Sequence, residues 1–330
     1  MDTWDKFISV FNKTFSEDDV EERKSIYESN KQAIEAHNVL FEKGLVDYPL
    51  ELNEFSYLTD EEFLQSYTGL TNETEERNSI TTKKRSFDSL SPNNLPDQFD
   101  WTNHDAVTPV KRQGCKDCWA FGATAAIESQ NYLNTKILRE LSEQQVVDCT
   151  YEHIEGRNEC KGGSSYRAML AVSEGMYLGS EYPYVARVEE CKTLEVEQYQ
   201  KLTGVGWVEN NADIIKANLI TRGPLVVSFF VLPDFKSWPW SSEPIYTAGQ
   251  NCPSSTNHAV LLVGYGVENG IPYWRIKNSW GGRFGEGGYQ RIKRGEDLCG
   301  IENWVKYPKT QGRQGTSKNI IFFYSFILTL

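Results

Sequence analysis

The stretch Gln113–Phe121, which reads QGCKDCWAF, decides the fold of this chain. Its second cysteine, Cys118, opens an apolar, alanine-rich run that predicts a buried helix from about Cys118 to Leu133. Unpaired N–H groups and the positive end of the helix dipole surround a thiol at this position and favour its ionised form. Because the thiolate is the nucleophilic form of cysteine, Cys118 is a candidate catalytic nucleophile.

Cys115 and Cys118 also fit two other kinds of site, half of a zinc site and a redox-active pair. Zinc needs two further ligands at close spacing, and the chain contains no second CxxC motif. We therefore predict neither a metal nor a cofactor. Disulfide exchange by Cys115 and Cys118 stays open as an alternative function.

Four further motifs follow along the chain. They are Leu141–Cys149 (LSEQQVVDC), Cys160–Gly163 (CKGG), Asn257–Val260 (NHAV) and Lys277–Gly281 (KNSWG). Together with Cys118–Phe121 they resemble, in family order, the landmarks of papain-like cysteine proteases of the cathepsin L group. The resemblance implies an α+β fold in which a helical lobe and a β-barrel-like lobe flank the active-site cleft, preceded by a helical inhibitory prodomain. It also implies a cysteine endopeptidase made as a zymogen, which hydrolyses peptide bonds through a thioester acyl-enzyme.

The resemblance assigns roles to individual residues. His258 would take the proton of Cys118 and later protonate the leaving amine, and Asn278 would orient the His258 imidazole. The side-chain amide of Gln113, beside the backbone N–H of Cys118, would stabilise the oxyanion. Trp280 would shield the Asn278 contact from water.

The sequence around His258 predicts a pairing with Asn278 without the resemblance. Two β-rich runs, His258–Tyr265 and Ile271–Lys277, flank the hairpin signal ENG at positions 268–270. A turn centred there places position 260 opposite 278 and position 258 opposite 280. His258 and Asn278 then lie on one face of the hairpin, close enough to hydrogen-bond.

The stretch around Cys118 departs from the family pattern in two ways. In the family a residue separates the Gln-Gly pair from the first cysteine, whereas here Gly114 is followed directly by Cys115, so we expect Gln113 to be displaced. Lys116 and Asp117 replace a glycine and a small residue, and the charge of Asp117 is expected to raise the pKa of the adjacent thiol. The shortened segment motivates a second hypothesis, a catalytically weak homologue that binds peptides or inhibits other proteases.

Seven cysteines are more than a reduced cytosolic protein usually carries. The resemblance implies pairing of Cys115 with Cys160, Cys149 with Cys191, and Cys252 with Cys299, which leaves Cys118 free; the sequence alone permits other connectivities. An oxidising compartment requires a secretory leader, and residues 1–6 contain no apolar region of that kind. We expect a lysosomal or extracellular protein whose first exon is missing or whose leader was trimmed.

Residues 1–70 predict a helical unit. Six residues recur at the three- or four-residue spacing of a helix: Asp19, Arg23, Tyr27, Asn30, Ile34 and Asn38. They resemble the ERFNIN signature of cathepsin L-type propeptides, with Asp and Tyr in place of the usual Glu and Phe. Trp4, Phe7 and Phe11 give a preceding helix an apolar face, and residues 53–63 resemble a second propeptide motif.

We expect four regions along the chain. They are a helical inhibitory prodomain (1–70), an exposed polar linker with a maturation cleavage near Asn93 to Leu95 (71–94), a papain-like peptidase domain (95–309) and a tail outside the resemblance (310–330). The tail ends in the apolar run Ile320–Leu330, which is too short to span a bilayer of ~30 Å hydrocarbon. We expect a gene-model or splice artefact there rather than a lipid anchor. Asn12 and Asn72 lie in sequons and would be glycan acceptors in a secreted protein.

The acidic charge is concentrated at the N-terminal end. The formal net charge is −12, and residues 1–94 hold 20 of the 46 acidic but 10 of the 34 basic residues. This charge and the lack of a basic stripe argue against a nucleic-acid partner. The expected partners are peptide or protein substrates, the chain's own prodomain as an intramolecular inhibitor, and protein inhibitors of cysteine proteases, with no stable membrane span.

The resemblance also implies the residues that bind substrate. They are Gly162, Gly163, Ser164, Ser165, Ser228, Asn257, Trp280 and Trp304. Trp304 would form the floor of the pocket for the second residue before the scissile bond. A bulky indole there is expected to favour modest apolar side chains such as Val or Leu over Phe or Arg.

Overall fold

The structure is a computed structural model that describes residues 3–71, 73, 95–151, 160–240, 244–247 and 252–311. The expected cleavage region at Asn93, the sequon residue Asn72 and the apolar run Ile320–Leu330 lie outside these residues. Among the residues described, no helix has both the length and the apolar character needed to cross a membrane.

Three helices form an N-terminal unit: α1 (Trp4–Phe11), α2 (Glu17–Glu42) and α3 (Asp60–Tyr67). Each begins after a capping hydroxyl, of which Thr59 forms a capping box with Glu62 at the start of α3. The expected apolar face of α1 packs on α2 in a separate cluster, which contains Trp4, Phe7, Phe11, Tyr27, Ile34 and Leu52. The unit therefore has a small core of its own.

The periodic polar residues of α2 hold the chain that follows it. Arg23 pairs with Glu62 at 2.8 Å. The Asn30 side-chain amide donates to the carbonyl oxygens of Ser56 at 2.8 Å and Leu58 at 2.9 Å. Asn38 exchanges two hydrogen bonds with the backbone of residue 50. The predicted helix is confirmed as α2. The spacing of Asn30 and Asn38 is explained by their partners, because both side-chain amides bind backbone groups of the non-helical segment between α2 and α3.

The helical lobe contains α4 (Cys118–Thr135), α5 (Glu143–Cys149) and α6 (Ser165–Ala171). α4 is buried along most of its length. Lys111 lies 2.7 Å from both Glu128 of α4 and Glu143 of α5, so a paired cation joins the two helices.

The β-rich lobe is one mixed sheet with α7 (Ala212–Arg222) packed on it. Its strands are β1 (Phe99–Asp100), β2 (Leu202–Trp207), β3 (Leu225–Phe229), β4 (Ile245–Tyr246), β5 (His258–Glu268), β6 (Ile271–Lys277), β7 (Tyr289–Lys293) and β8 (Trp304–Thr310). The order is β2-β8-β3-β5-β6-β7-β4, with β1 against β5. The pairs are antiparallel except for β4 with β7.

Strand β5 lies between two cores. Ala259 and Leu261 face α4, whereas Val260 and Leu262 face an aromatic cluster that includes Trp280. Alternate residues of one strand therefore serve the two lobes. The fold is the expected α+β arrangement of two lobes preceded by a helical unit, and the N-terminal end of α4 meets β5 where the lobes join.

Three disulfides join the cysteines in the pairs that the family resemblance implies: Cys115 with Cys160, Cys149 with Cys191, and Cys252 with Cys299. All seven cysteines lie in described parts of the chain, and Cys118 is free and buried.

Candidate active site

Cys118 is the first residue of α4 and is completely buried. Burial raises the pKa of its thiol to about 12, although hydrogen bonds with backbone groups of Ala259, Gly69 and Trp119 act to lower that pKa. The charge of Asp117 raises it further, as expected. Gly69 belongs to the chain that follows α3, so the N-terminal unit reaches the thiol itself.

His258 lies at the start of β5 and Asn278 directly follows β6. The Nε2 atom of His258 is 2.9 Å from the Oδ1 atom of Asn278. The turn at 269–270 has two positive φ angles, and the pairing shifts by one residue between Leu262 and Gly264, which restores the predicted register beside the site. The predicted contact between His258 and Asn278 is therefore confirmed.

The surroundings of Asn278 fix its orientation. Its Oδ1 atom also accepts the Ser279 backbone N–H at 2.8 Å, and its Nδ2 atom donates to Oε1 of Gln290 at 3.1 Å. The buried Trp280 ring lies 4.7 Å from the His258 ring, centroid to centroid. The sequence analysis did not identify Gln290, because it lies in a short strand and belongs to none of the recognised motifs.

The thiol and the imidazole are both neutral in this form of the protein. Burial lowers the pKa of His258 to about 4, although the hydrogen bond with Asn278 opposes the shift. The Nδ1 atom of His258 is buried and has no hydrogen-bond partner among the described residues. An ion pair of Cys118 and His258 is therefore suppressed while the site is covered.

The side-chain amide of Gln113 is bound by two neighbouring groups. Its Nε2 atom donates to the Cys115 carbonyl oxygen at 2.7 Å, and its Oε1 atom accepts the Ser279 hydroxyl at 2.7 Å. Both the oxygen and the nitrogen of the Gln113 amide therefore have partners within the protein. The short connection from Gln113 to Cys115 places the Cys115 carbonyl within reach of the amide.

Asp117 precedes α4 but does not cap it through its side chain. It is buried, and the Tyr184 hydroxyl donates to its Oδ2 atom at 2.5 Å. Burial raises the pKa of Asp117 to about 7, against that hydrogen bond. The carboxyl group beside the thiol is therefore partly protonated near neutral pH, which weakens its effect on Cys118.

The cleft segment, Thr68–Thr71, crosses the site. The backbone N–H groups of Gly69 and Leu70 both donate to the Asn257 carbonyl oxygen at 2.9 Å. Gly163 accepts from the N–H of Thr71 at 2.9 Å and donates to the carbonyl of Gly69 at 2.8 Å, which forms a parallel bridge. A Cβ atom on Gly162 would lie 2.1 Å from the Gly69 carbonyl oxygen, so this approach requires a glycine.

Aromatic rings anchor the N-terminal unit beside the cleft. Phe63 lies 5.1 Å from Trp280 and Phe55 lies 5.6 Å from Phe284, between ring centroids. The Trp280 indole N–H donates to the carbonyl oxygen of Tyr67 at 3.1 Å. Trp280 therefore packs on the histidine with one part of its surface and on the N-terminal unit with another.

Polar contacts add a second anchor around the buried Lys236. Its Nζ atom lies 2.6 Å from Asp60 and 3.0 Å from Asn30 Oδ1. Asn53 donates to the Lys236 carbonyl oxygen at 2.7 Å. Arg112 adjoins the thiol loop, residues 113–117 before Cys118, and pairs with Glu54.

The other residues expected to bind substrate come from both lobes. Ser164 caps α6, and Ser165 is buried beside it. Ser228 of β3 pairs in register with Trp304 of β8, so both face the same way. The Asn257 side chain instead binds the backbone of Val231, and only its carbonyl oxygen meets the cleft segment in the contacts described.

Comparison with known proteins agrees with this architecture. The "Papain family cysteine protease" family matches residues 95–309, and the "Cathepsin propeptide inhibitor domain (I29)" matches residues 4–63. A cathepsin L-like proteinase of Fasciola hepatica is 35% identical over 319 residues, which cover 93% of each chain. Procathepsin L of Mus musculus is 34% identical, with 92% of this chain and 91% of that protein covered.

Two solved proforms have the same fold. The recombinant stem bromelain precursor superposes with a TM-score of 0.80 at 32% identity, covering 94% of this chain and 98% of that one. Digestive procathepsin L 3 from the larval midgut of Tenebrio molitor also gives 0.80, at 31% identity, covering 93% and 97%.

A protease zymogen is thus the class that the fold and the covered thiol define. The chain belongs to the papain family of cysteine proteases and carries a cathepsin-type propeptide as its own inhibitor.

Proposed function

We propose that Cys118, His258 and Asn278 carry peptide-bond hydrolysis and that residues 1–70 keep the enzyme latent by covering them. The observation that carries this proposal is the position of Cys118. A single free thiol at the start of α4 lies under the backbone of Gly69, and the His258–Asn278 contact stands at the adjoining end of β5.

The proposed chemistry begins when the cleft segment leaves. His258 takes the thiol proton through Nδ1, while Nε2 keeps its hydrogen bond with Asn278. The Cys118 thiolate attacks the scissile carbonyl carbon, and the imidazolium protonates the amine as the C–N bond breaks. His258 then deprotonates a water molecule that hydrolyses the thioester. The backbone N–H of Cys118 stabilises the oxyanion. The Gln113 amide becomes a second donor to the oxyanion only after its hydrogen bond to the Cys115 carbonyl breaks.

The regions of the chain take the following roles in this proposal. Residues 1–70 are the inhibitory prodomain, 71–94 a linker cut near Asn93 to Leu95, 95–309 the peptidase domain, and 310–330 a tail outside the family resemblance. Three disulfides and the propeptide support a lysosomal or extracellular location. Substrates are peptides or proteins, and protein inhibitors of cysteine proteases are further partners.

A thiol-directed epoxide tests the proposed function against the two alternatives. We expect one equivalent of label on Cys118 per released enzyme, with hydrolysis of a fluorogenic peptide falling in proportion. Absence of labelling after removal of the prodomain would favour the catalytically weak homologue. A disulfide exchanger requires Cys115 as a second free thiol, and its bond with Cys160 opposes that alternative.

The carboxylates of the prodomain lead us to expect that the enzyme is released at acidic pH. Conversion of a neutral thiol and imidazole into an ion pair takes up no net proton. The pH dependence of prodomain release must therefore come from other groups. Burial raises the pKa of Glu62, but hydrogen bonds from Thr59 and Arg23 outweigh it and hold the value below the ordinary 4.5. A depressed pKa contributes stability above the ordinary value, which is lost as the pH falls through the lowered one.

Two further ion pairs, Glu54 with Arg112 and Asp60 with Lys236, cross from the N-terminal unit to the enzyme. Exposed pairs give ~0–1 kcal/mol each, so several must be lost together. We expect a proform that is inert near neutral pH and cuts itself near Leu95 in acid. High salt should shift the onset toward neutral pH by screening the exposed pairs.

A gel time course of purified proform across pH and salt measures this release. The Cys118→Ala variant controls for contaminating proteases. Equal rates at pH 7 and pH 4, or unchanged processing in the variant, would show that charge-controlled self-release is wrong.

A further inference from the structure

A buried ion pair joins the linker to the floor of the cleft. The Nζ atom of Lys306, on β8, lies 2.5 Å from Oε2 of Glu73. The Lys306 side chain is 0% exposed and that of Glu73 is 1% exposed. The two residues are 233 positions apart along the chain, so no local sequence pattern indicated the contact.

Glu73 fills a polar pocket. Its Oε1 atom accepts the Ser164 hydroxyl at 2.8 Å and the Tyr166 backbone N–H at 3.0 Å. Lys306 also donates to the Ser228 hydroxyl at 3.1 Å. Both carboxylate oxygens are therefore bound, one by neutral donors and one by a cation.

The pocket coincides with the expected subsite for the second residue before the scissile bond. Ser164 and Ser228 are two of the residues expected around that subsite. Lys306 follows Trp304 by two positions on β8, so the two side chains share a face of the strand. The Trp207 ring lies 4.9 Å from the Lys306 ammonium and forms part of the wall.

Lys306 and Lys111 both form ion pairs, but their partners lie in different parts of the chain. Lys111 is balanced by Glu128 and Glu143, which both remain in the peptidase domain. The partner of Lys306 lies in the linker that the proposed maturation removes. Loss of Glu73 removes the counter-ion of the Lys306 ammonium beside Ser228 and leaves a cationic position that another anion can fill.

We propose that Lys306 makes this subsite selective for an acidic side chain, so that the released enzyme prefers glutamate at the second residue before the scissile bond. Glu73 occupies the site as a substrate side chain would. The inference rests on the proposed peptidase function. It opposes the expectation of a modest apolar side chain, which took account of Trp304 but not of Lys306.

Matched fluorogenic peptides that differ only at this residue test the proposal. We expect kcat/KM for glutamate to exceed that for glutamine by about tenfold or more, because a buried cation distinguishes charge at equal size. Lys306→Met should bring the ratio to about one, because it removes the charge from a side chain of similar length. Lys309→Gln changes a lysine of the same strand that faces the other way, and it should keep the wild-type ratio.

The wild-type enzyme gives a second measurement that needs no variant. The ratio should fall as the pH drops below the ordinary glutamate pKa of ~4.3, because the neutral acid then resembles glutamine. Cleavage of the leucine and glutamine peptides without a glutamate advantage would overturn the inference and leave the proposed function intact. Failure to cleave any peptide, without epoxide labelling, would instead count against the proposed function.

Discussion

Replacement of Cys118 by alanine is expected to abolish peptide hydrolysis by the released enzyme. The change removes the sulfur that forms the thioester, and loss of a catalytic nucleophile costs about 10⁵-fold or more in rate. The proform should still fold, since Cys118 takes part in none of the three disulfides.

The measurement is kcat/KM on a fluorogenic peptide, after release of each variant by the same added protease. Ser129→Ala provides a matched control, because it also removes one buried atom from α4 at a position whose hydroxyl bonds the backbone of its own helix. Activity of Cys118→Ala near that of Ser129→Ala would exclude Cys118 as the nucleophile.

The second large effect concerns the reactivity of the thiol before and after release. With a pKa of about 12, Cys118 of the proform is almost entirely un-ionised at pH 7. Each pKa unit above the ambient pH lowers the thiolate fraction tenfold, and the cleft segment also blocks access. We expect alkylation of Cys118 by iodoacetamide at pH 7 to be at least about 10³-fold faster in the released enzyme.

Mass spectrometry of the Cys118 peptide over time measures both rates. Phe63→Ala should raise the proform rate, because it removes a fully buried ring that packs on Trp280. Phe41→Ala is the control, since Phe41 is 38% exposed on α2. Equal alkylation rates in the intact proform and the released enzyme would contradict the proposed masking of the thiol.

The sequence predicted those parts of the site that local patterns encode. The turn at 268–270 set the hairpin register, and the register placed His258 against Asn278. The start of α4 could also be predicted from the sequence, because an apolar run begins at Cys118. Hydrophobic periodicity and turn chemistry act over short distances along the chain, and they placed these elements correctly.

Contacts between distant segments escaped the sequence prediction. Lys306 was not among the predicted site residues, although it lies two positions after Trp304, and Glu73 lies in a stretch interpreted as linker. Only the fold brings them together, and only burial makes their charges matter. The missing residue led us to expect a displaced Gln113, but the partner of its amide, the Cys115 carbonyl, depends on the path of the loop.

The glycine contact between the cleft segment and the enzyme separates two kinds of genetic lesion. A Cβ atom on Gly69 would lie 2.2 Å from the Lys116 carbonyl oxygen, so a larger residue cannot fit against the thiol loop. Because the proposed maturation discards residue 69, such an allele would encode a normal mature protease from a precursor that is not latent. An allele at Gly162 would alter the precursor and the mature protease alike. The first would therefore behave as a dominant gain of activity, whereas the second would change the enzyme for its whole lifetime.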